Sequence, residues 1–125
     1  MFFSKKNITS KLDKSTTLTY FKNVKFIESP NFTKRIDEHL FHDEYVALQW
    51  HLATHPESGD LIPGSGGLRK IRWLRKGRGK RGGVRIIYYY KSCDGHIWLL
   101  TIYAKNETEN IPAHILRKIK EELLK

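Results

Sequence analysis

Between residues 68 and 103 the chain holds three runs crowded with β-branched and aromatic side chains: Leu68 to Leu74, Val84 to Lys91 and Ile97 to Tyr103. Such side chains lose rotamer freedom against a helical turn but sit well on a pleated surface, so each run predicts a strand. The connections agree. Arg75 to Gly83 is a loop of glycines and cations, and Asp94-Gly95 is a hairpin turn signal between the last two runs. Consecutive hairpins predict an antiparallel sheet, and the rest of the chain must then cover its faces.

The flanking segments fit that task. Val24 to Ile27 reads as a first strand. Ser29-Pro30 is a helix start, with serine as the cap and proline in the first turn, and Phe32, Ile36 and Leu40 follow as one helical stripe. Asp43 is placed to cap a second helix to about Thr54, with Val46, Trp50 and Ala53 as its core candidates and His55-Pro56 as its end. A glycine-rich loop, Gly59 to Gly67, leads into the strands, and Pro112 opens a last helix with Ile115, Ile119 and Leu123 as its apolar stripe. The order is β-α-α-β-β-β-α, an α+β fold whose mostly antiparallel sheet packs against the N-terminal helices and a C-terminal helix. Residues 1–22, rich in Lys, Ser and Thr, read as a flexible extension, and 23–125 as a single domain. One cysteine, Cys93, excludes an internal disulfide, and no apolar run approaches the roughly 20 residues of a membrane span. A cytoplasmic protein without membrane contact is the expectation.

The charge is distributed unevenly. Of 23 Lys and Arg, ten lie between Asp60 and Asp94, where there is no carboxylate: Arg69, Lys70, Arg72, Arg75, Lys76, Arg78, Lys80, Arg81, Arg85 and Lys91. The remaining 13 basic residues match the 13 acidic ones, so the whole excess of +10 belongs to this run. Clustered cations attract a polyanion and release its counterions together, which points to nucleic acid. Alternation along the strands sorts the run further. Lys70 and Arg72 share one face, which Arg85 of the next strand joins if the register brings it there, while Arg69, Ile71 and Trp73 point the other way. An ordinary solvated sheet face would mix signs; this one does not.

The loop Arg75 to Gly83 lets backbone approach a phosphate closely, but it is not a Walker loop, because Gly79-Lys80 is followed by Arg81. Tyr103, Lys105, Asn106 and Glu107 gather a phenol, an amine, an amide and a carboxylate at the end of the last strand. Of six histidines, His51 and His55 are four apart on a helix, but no H-E-x-x-H motif or third ligand accompanies them, so no metal or cofactor is expected.

Gly66 to Arg72 (GGLRKIR), Arg78 to Tyr89 (RGKRGGVRIIYY) and Leu99 to Glu107 (LLTIYAKNE) together resemble the RelE/HigB superfamily of bacterial type II toxins, particularly its HigB branch. The resemblance spans residues 24 to 124. It implies a small RelE-like fold and a ribosome-dependent endoribonuclease that cuts mRNA in the A site, using the RNA's own 2′-hydroxyl and no metal. Its partners would be the ribosome, mRNA and a cognate antitoxin, a HigA-like DNA-binding protein. Carried over by position, Lys70, Arg72, Arg85 and Lys105 are catalytic, with Lys70 or Arg72 as the base and Arg85 as a phosphate clamp. Asn106 stands where RelE has an arginine, which leaves the general acid open among Arg78, Lys80 and Tyr103. RNA contact falls to Arg75, Lys76, Arg78, Lys80, Arg81 and Tyr103. Two other readings remain: a ParE-like toxin that inhibits gyrase, and a noncatalytic RNA-binding module.

Overall fold

The structure, a computed structural model, describes residues 4–6, 24–75, 83–104 and 111–124. Among these the chain forms β1 (Ser4–Lys6), β2 (Lys25–Glu28), α1 (Pro30–His39), α2 (His42–Thr54), β3 (Asp60–Leu61), β4 (Arg69–Trp73), β5 (Val84–Lys91), β6 (His96–Ala104) and α3 (Ala113–Leu123). The strands make one sheet in the order β1-β2-β6-β5-β4-β3. The three expected central strands are present, joined as antiparallel neighbours. The expected element order lacked β1 and β3. β1 falls within the stretch read as an extension and pairs antiparallel with β2.

β2 pairs with β6 in parallel, Phe26 opposite Ile97, so the sheet is mixed. Parallel neighbours need a long crossover, and here it runs from residue 29 to residue 95. The sheet is covered on both faces. On the first, α1 and α2 bury Phe32, Ile36, Tyr45, Leu48 and Leu52 against Phe26, Ile71, Val84, Ile86, Tyr88, Ile97, Leu99 and Ile102. On the second, Leu116 of α3 packs on Leu68, Ile87, Leu100 and Tyr103. β5 runs through the middle, so apolar residues of both parities are buried there, and its sequence reads as a nearly continuous hydrophobic run. No helix among the described residues is long and apolar enough to cross a membrane.

The helix caps show where local chemistry governs. Ser29 caps α1, its Oγ accepting from Phe32 N at 3.1 Å. The same hydroxyl donates to the carbonyl of Leu100. Leu100 is the extra residue of a β-bulge in β6, since Ile87 faces Thr101 and Tyr88 faces Leu99. Ser29 therefore satisfies a carbonyl that the interrupted ladder leaves over.

The cap of α2 lies two residues before the expected one: Phe41 is the N-cap, and Glu44 Oε1 accepts its backbone N–H at 2.8 Å. Asp43 instead lies in the first turn, where a negative charge suits the helix dipole. The buried side of α2 is set by Tyr45, Leu48 and Leu52, with Val46 and Trp50 only half-buried. The stripe on α3 differs from expectation in part, since Leu123 packs against the second core as expected. Leu116 is the buried residue, while Ile115 and Ile119 remain 38% exposed along an apolar groove of about 510 Å³ between α3, α1 and β6.

Candidate nucleic-acid interface

The strand register decides what the cationic run can do. Arg72 of β4 lies directly opposite Arg85 of β5, and Arg85 directly opposite Tyr103 of β6. In the next row Lys70 faces Ile87, which faces Thr101. Lys70, Arg72 and Arg85 thus share one face, the register supplying the condition that alternation alone left open. Arg72 is exposed, and Lys70 and Arg85 are half-buried. No ion pair joins Arg72 or Arg85 to an acid among the described residues. Like charges directly opposite one another in a sheet repel, so this pair costs stability wherever no anion lies between them.

Arg69 belongs elsewhere. On the opposite face its Nη1 donates to the carbonyls of Glu57 and Gly59 at 3.0 and 2.8 Å. Its cross-strand partner, Tyr88, grips the same turn: the hydroxyl donates to Pro56 O at 2.8 Å and accepts from Gly59 N at 2.9 Å. Gly59 is required there, because a Cβ would stand 2.8 Å from Tyr88 Cε1. This clamp holds the turn that delivers β3 to the edge of β4. At the far end of β5, Lys91 pairs with Asp94 at 3.6 Å. Arg69 and Lys91 therefore serve local contacts.

β3 adds something the linear charge count missed. Asp60, the residue that bounds the acid-free run, pairs in register with Lys70. A carboxylate therefore borders the row of Lys70, whereas the row of Arg72 and Arg85 lacks one. The signal was a two-residue strand, too short for periodicity to reveal. Helix α3 contributes further positive charge to the same face. Lys120 Nζ lies 4.8 Å over the ring of Tyr89 and donates to Gly66 O at 2.6 Å, with Arg117 also beside Gly66. Their spacing of three on an amphipathic helix was the available signal.

Tyr103 departs from expectation. Its side chain is 2% exposed and belongs to the second core, so its ring is a packing element rather than an open RNA contact. Burial raises the phenol above its ordinary pKa, and the nearby charge of Arg85 opposes part of that rise. Arg75 is half-buried just beyond β4. Lys76, Arg78, Lys80, Arg81, Lys105 and Asn106 lie outside the described residues.

On the first face, beyond Trp73, three rings follow one another. His51 lies 5.4 Å from Trp73 with planes tilted by 50°, and stacks on His55 at 5.3 Å and 24°. Burial, together with the neighbouring His55, holds His51 below the usual histidine pKa. Its Nε2 is 3.0 Å from Ser58 Oγ. Among the described residues no three His, Cys, Asp or Glu side chains are arranged to hold a metal ion. No protein-family model matches the chain.

Proposed function

We propose that this chain is a toxin of the RelE/HigB kind, a ribosome-dependent endoribonuclease that cuts mRNA in the A site. One observation carries the reading: two arginines face each other on neighbouring strands, with a lysine one row away on the same face. A fold tolerates that repulsion at a cost, and a bound phosphate between the guanidiniums removes it. The chemistry that suits such a site is attack of a ribose 2′-oxygen on the adjacent phosphorus. The O2′–P bond forms, the P–O5′ bond breaks, and the products are a 2′,3′-cyclic phosphate and a free 5′-hydroxyl. Lys70 or Arg72 takes the 2′-proton as the general base. Arg72 and Arg85 hold the phosphorane oxygens, the preorganised electrostatic part of catalysis. Proton delivery to the 5′-oxygen falls to one of Arg78, Lys80 and Tyr103, the groups left open by the asparagine at position 106. The cation-rich loop of Arg75, Lys76, Arg78, Lys80 and Arg81 docks ribosomal RNA, and a HigA-like antitoxin keeps the cytoplasmic toxin inactive.

The burial of Tyr103 favours a second reading, a noncatalytic RNA-binding module, because it removes one acid from the open surface. Cell-free translation with primer extension on the mRNA separates the two. Codon-phased cuts that disappear in the Lys70→Ala/Arg72→Ala variant support the ribonuclease. Translation that stops on intact mRNA assigns the chain to the binding module. Loss of supercoiling while translation continues points to a ParE-like gyrase inhibitor.

A further inference from the structure

Arg72 and Trp73 are consecutive residues of β4, so they stand on opposite faces of the sheet. β3 pairs with β4 only at Arg69 and Lys70, so among the described residues no strand covers the outer edge of β4 at Arg72 and Trp73. The cationic row and the ring series Trp73, His51, His55 therefore meet around an uncovered strand edge. The rings differ from the aromatics of the core. Tyr88 and Phe32 are wholly buried, whereas Trp73 and His51 are half-buried and His55 is exposed. Their positions are fixed: His51 by Ser58 Oγ at 3.0 Å, His55 Nδ1 by Thr54 Oγ1 at 2.9 Å, and Trp73 by its contact with the first core.

We propose that Trp73 and His51 form a stacking platform for an RNA base, reached as the strand crosses the β4 edge from the phosphate row of Arg72 and Arg85. This rests on the reading of that row as an RNA site. Single strands bind where a cationic track runs beside aromatic surfaces, because every base has a π-face and every linkage a charge. The adjacent Arg72 and the half-buried Arg75 select a nucleic acid over an apolar peptide. His51 held largely uncharged at neutral pH adds a ring to the platform rather than another cation.

The test compares binding of a short single-stranded oligoribonucleotide with that of the same oligomer made abasic, at low salt. Wild type should prefer the base-bearing RNA by about 5- to 150-fold, the range measured for stacking one base on an aromatic side chain. Trp73→Leu should lose that preference while keeping its affinity for the abasic oligomer, and Trp73→Phe should restore most of it. Equal weakening toward both oligomers in Trp73→Leu assigns Trp73 to packing and overturns the platform. Wild type that binds both oligomers equally overturns the platform and leaves the phosphate row standing. Wild type that binds neither overturns both.

Discussion

If the facing arginines are a site rather than a structural pair, removing one charge should stabilise the free protein while weakening RNA binding. Arg72→Gln is the informative change, because Arg72 is the exposed member and its stem carries little packing. Directly opposed Cβ atoms lie roughly 5 Å apart, so the guanidiniums average about 6 Å apart or somewhat more. Two unit charges at about 6 Å repel by about 0.7 kcal/mol in water, within the range of up to about 1 kcal/mol for cross-strand pairs. For 125 residues the entropy of unfolding is about 0.26 kcal/mol per degree, so Tm should rise by about 2–4 °C at low ionic strength. Near 0.5 M salt the Debye length falls to about 4 Å and most of that gain should vanish. Thermal melts of wild type and variant across a salt series measure this. Single-strand RNA affinity should fall in parallel, with the salt slope reduced by about 0.7 for one lost phosphate contact. A lowered Tm, or a gain that persists unchanged in high salt, refutes the argument from repulsion.

Asp60→Asn should tighten RNA binding several-fold at low salt, because it removes the carboxylate beside Lys70; filter binding at two salt concentrations checks it. Tyr45→Phe should cost about 1.5–3 kcal/mol in urea unfolding, because the phenol donates to the carboxylate of Glu28, which is fully buried and otherwise accepts from Thr33 Oγ1 at 2.7 Å. Burial and Glu28 raise the Tyr45 phenol far above its ordinary pKa. The unfolded phenol therefore loses its proton first, stability falls as pH rises through about 10, and Tyr45→Phe should shorten that alkaline decline. His51 is shifted downward, so the unfolded state protonates first below about pH 6.5 and stability falls on acidification; His51→Gln should flatten that limb of a pH–Tm curve.

What could be read without coordinates follows from the range of each interaction. The strands read at 68–74, 84–91 and 97–103 came from β-branched and aromatic content and the common parity of Lys70 and Arg72 from alternation, both properties of neighbouring residues. The capping of α1 by Ser29 is equally local. Arg85, by contrast, joins the face of Lys70 and Arg72 through the register of β4 and β5. Longer-range features escaped. The parallel docking of β2 on β6 depends on residues far apart in the chain, and nothing in Lys25–Glu28 specifies a partner. Asp60 beside Lys70 depends on a turn fixed by Tyr88 and Arg69. The burial of Tyr103 depends on α3 and its Leu116. The α3 stripe was misphased because Ile115 and Ile119 turn toward the groove while Leu116 meets the sheet.

The parallel pairing also sets a schedule for synthesis. Ser29 and the carbonyl it binds on Leu100 are separated by 71 residues. At about 5–20 residues per second, β2 leaves the ribosome about 4–14 s before the strand it must pair with. During that interval Phe26 and Ile27, both buried in the finished fold, lack the β6 neighbour, and β1 is the one partner strand already made. The hairpin of β5 and β6 forms locally and last, so completion of the sheet waits for the C-terminal third of the chain. The whole cationic run is therefore translated before β6, and a chain stalled there would carry the charge and both strands that align Arg72 with Arg85 without the strand that closes the sheet.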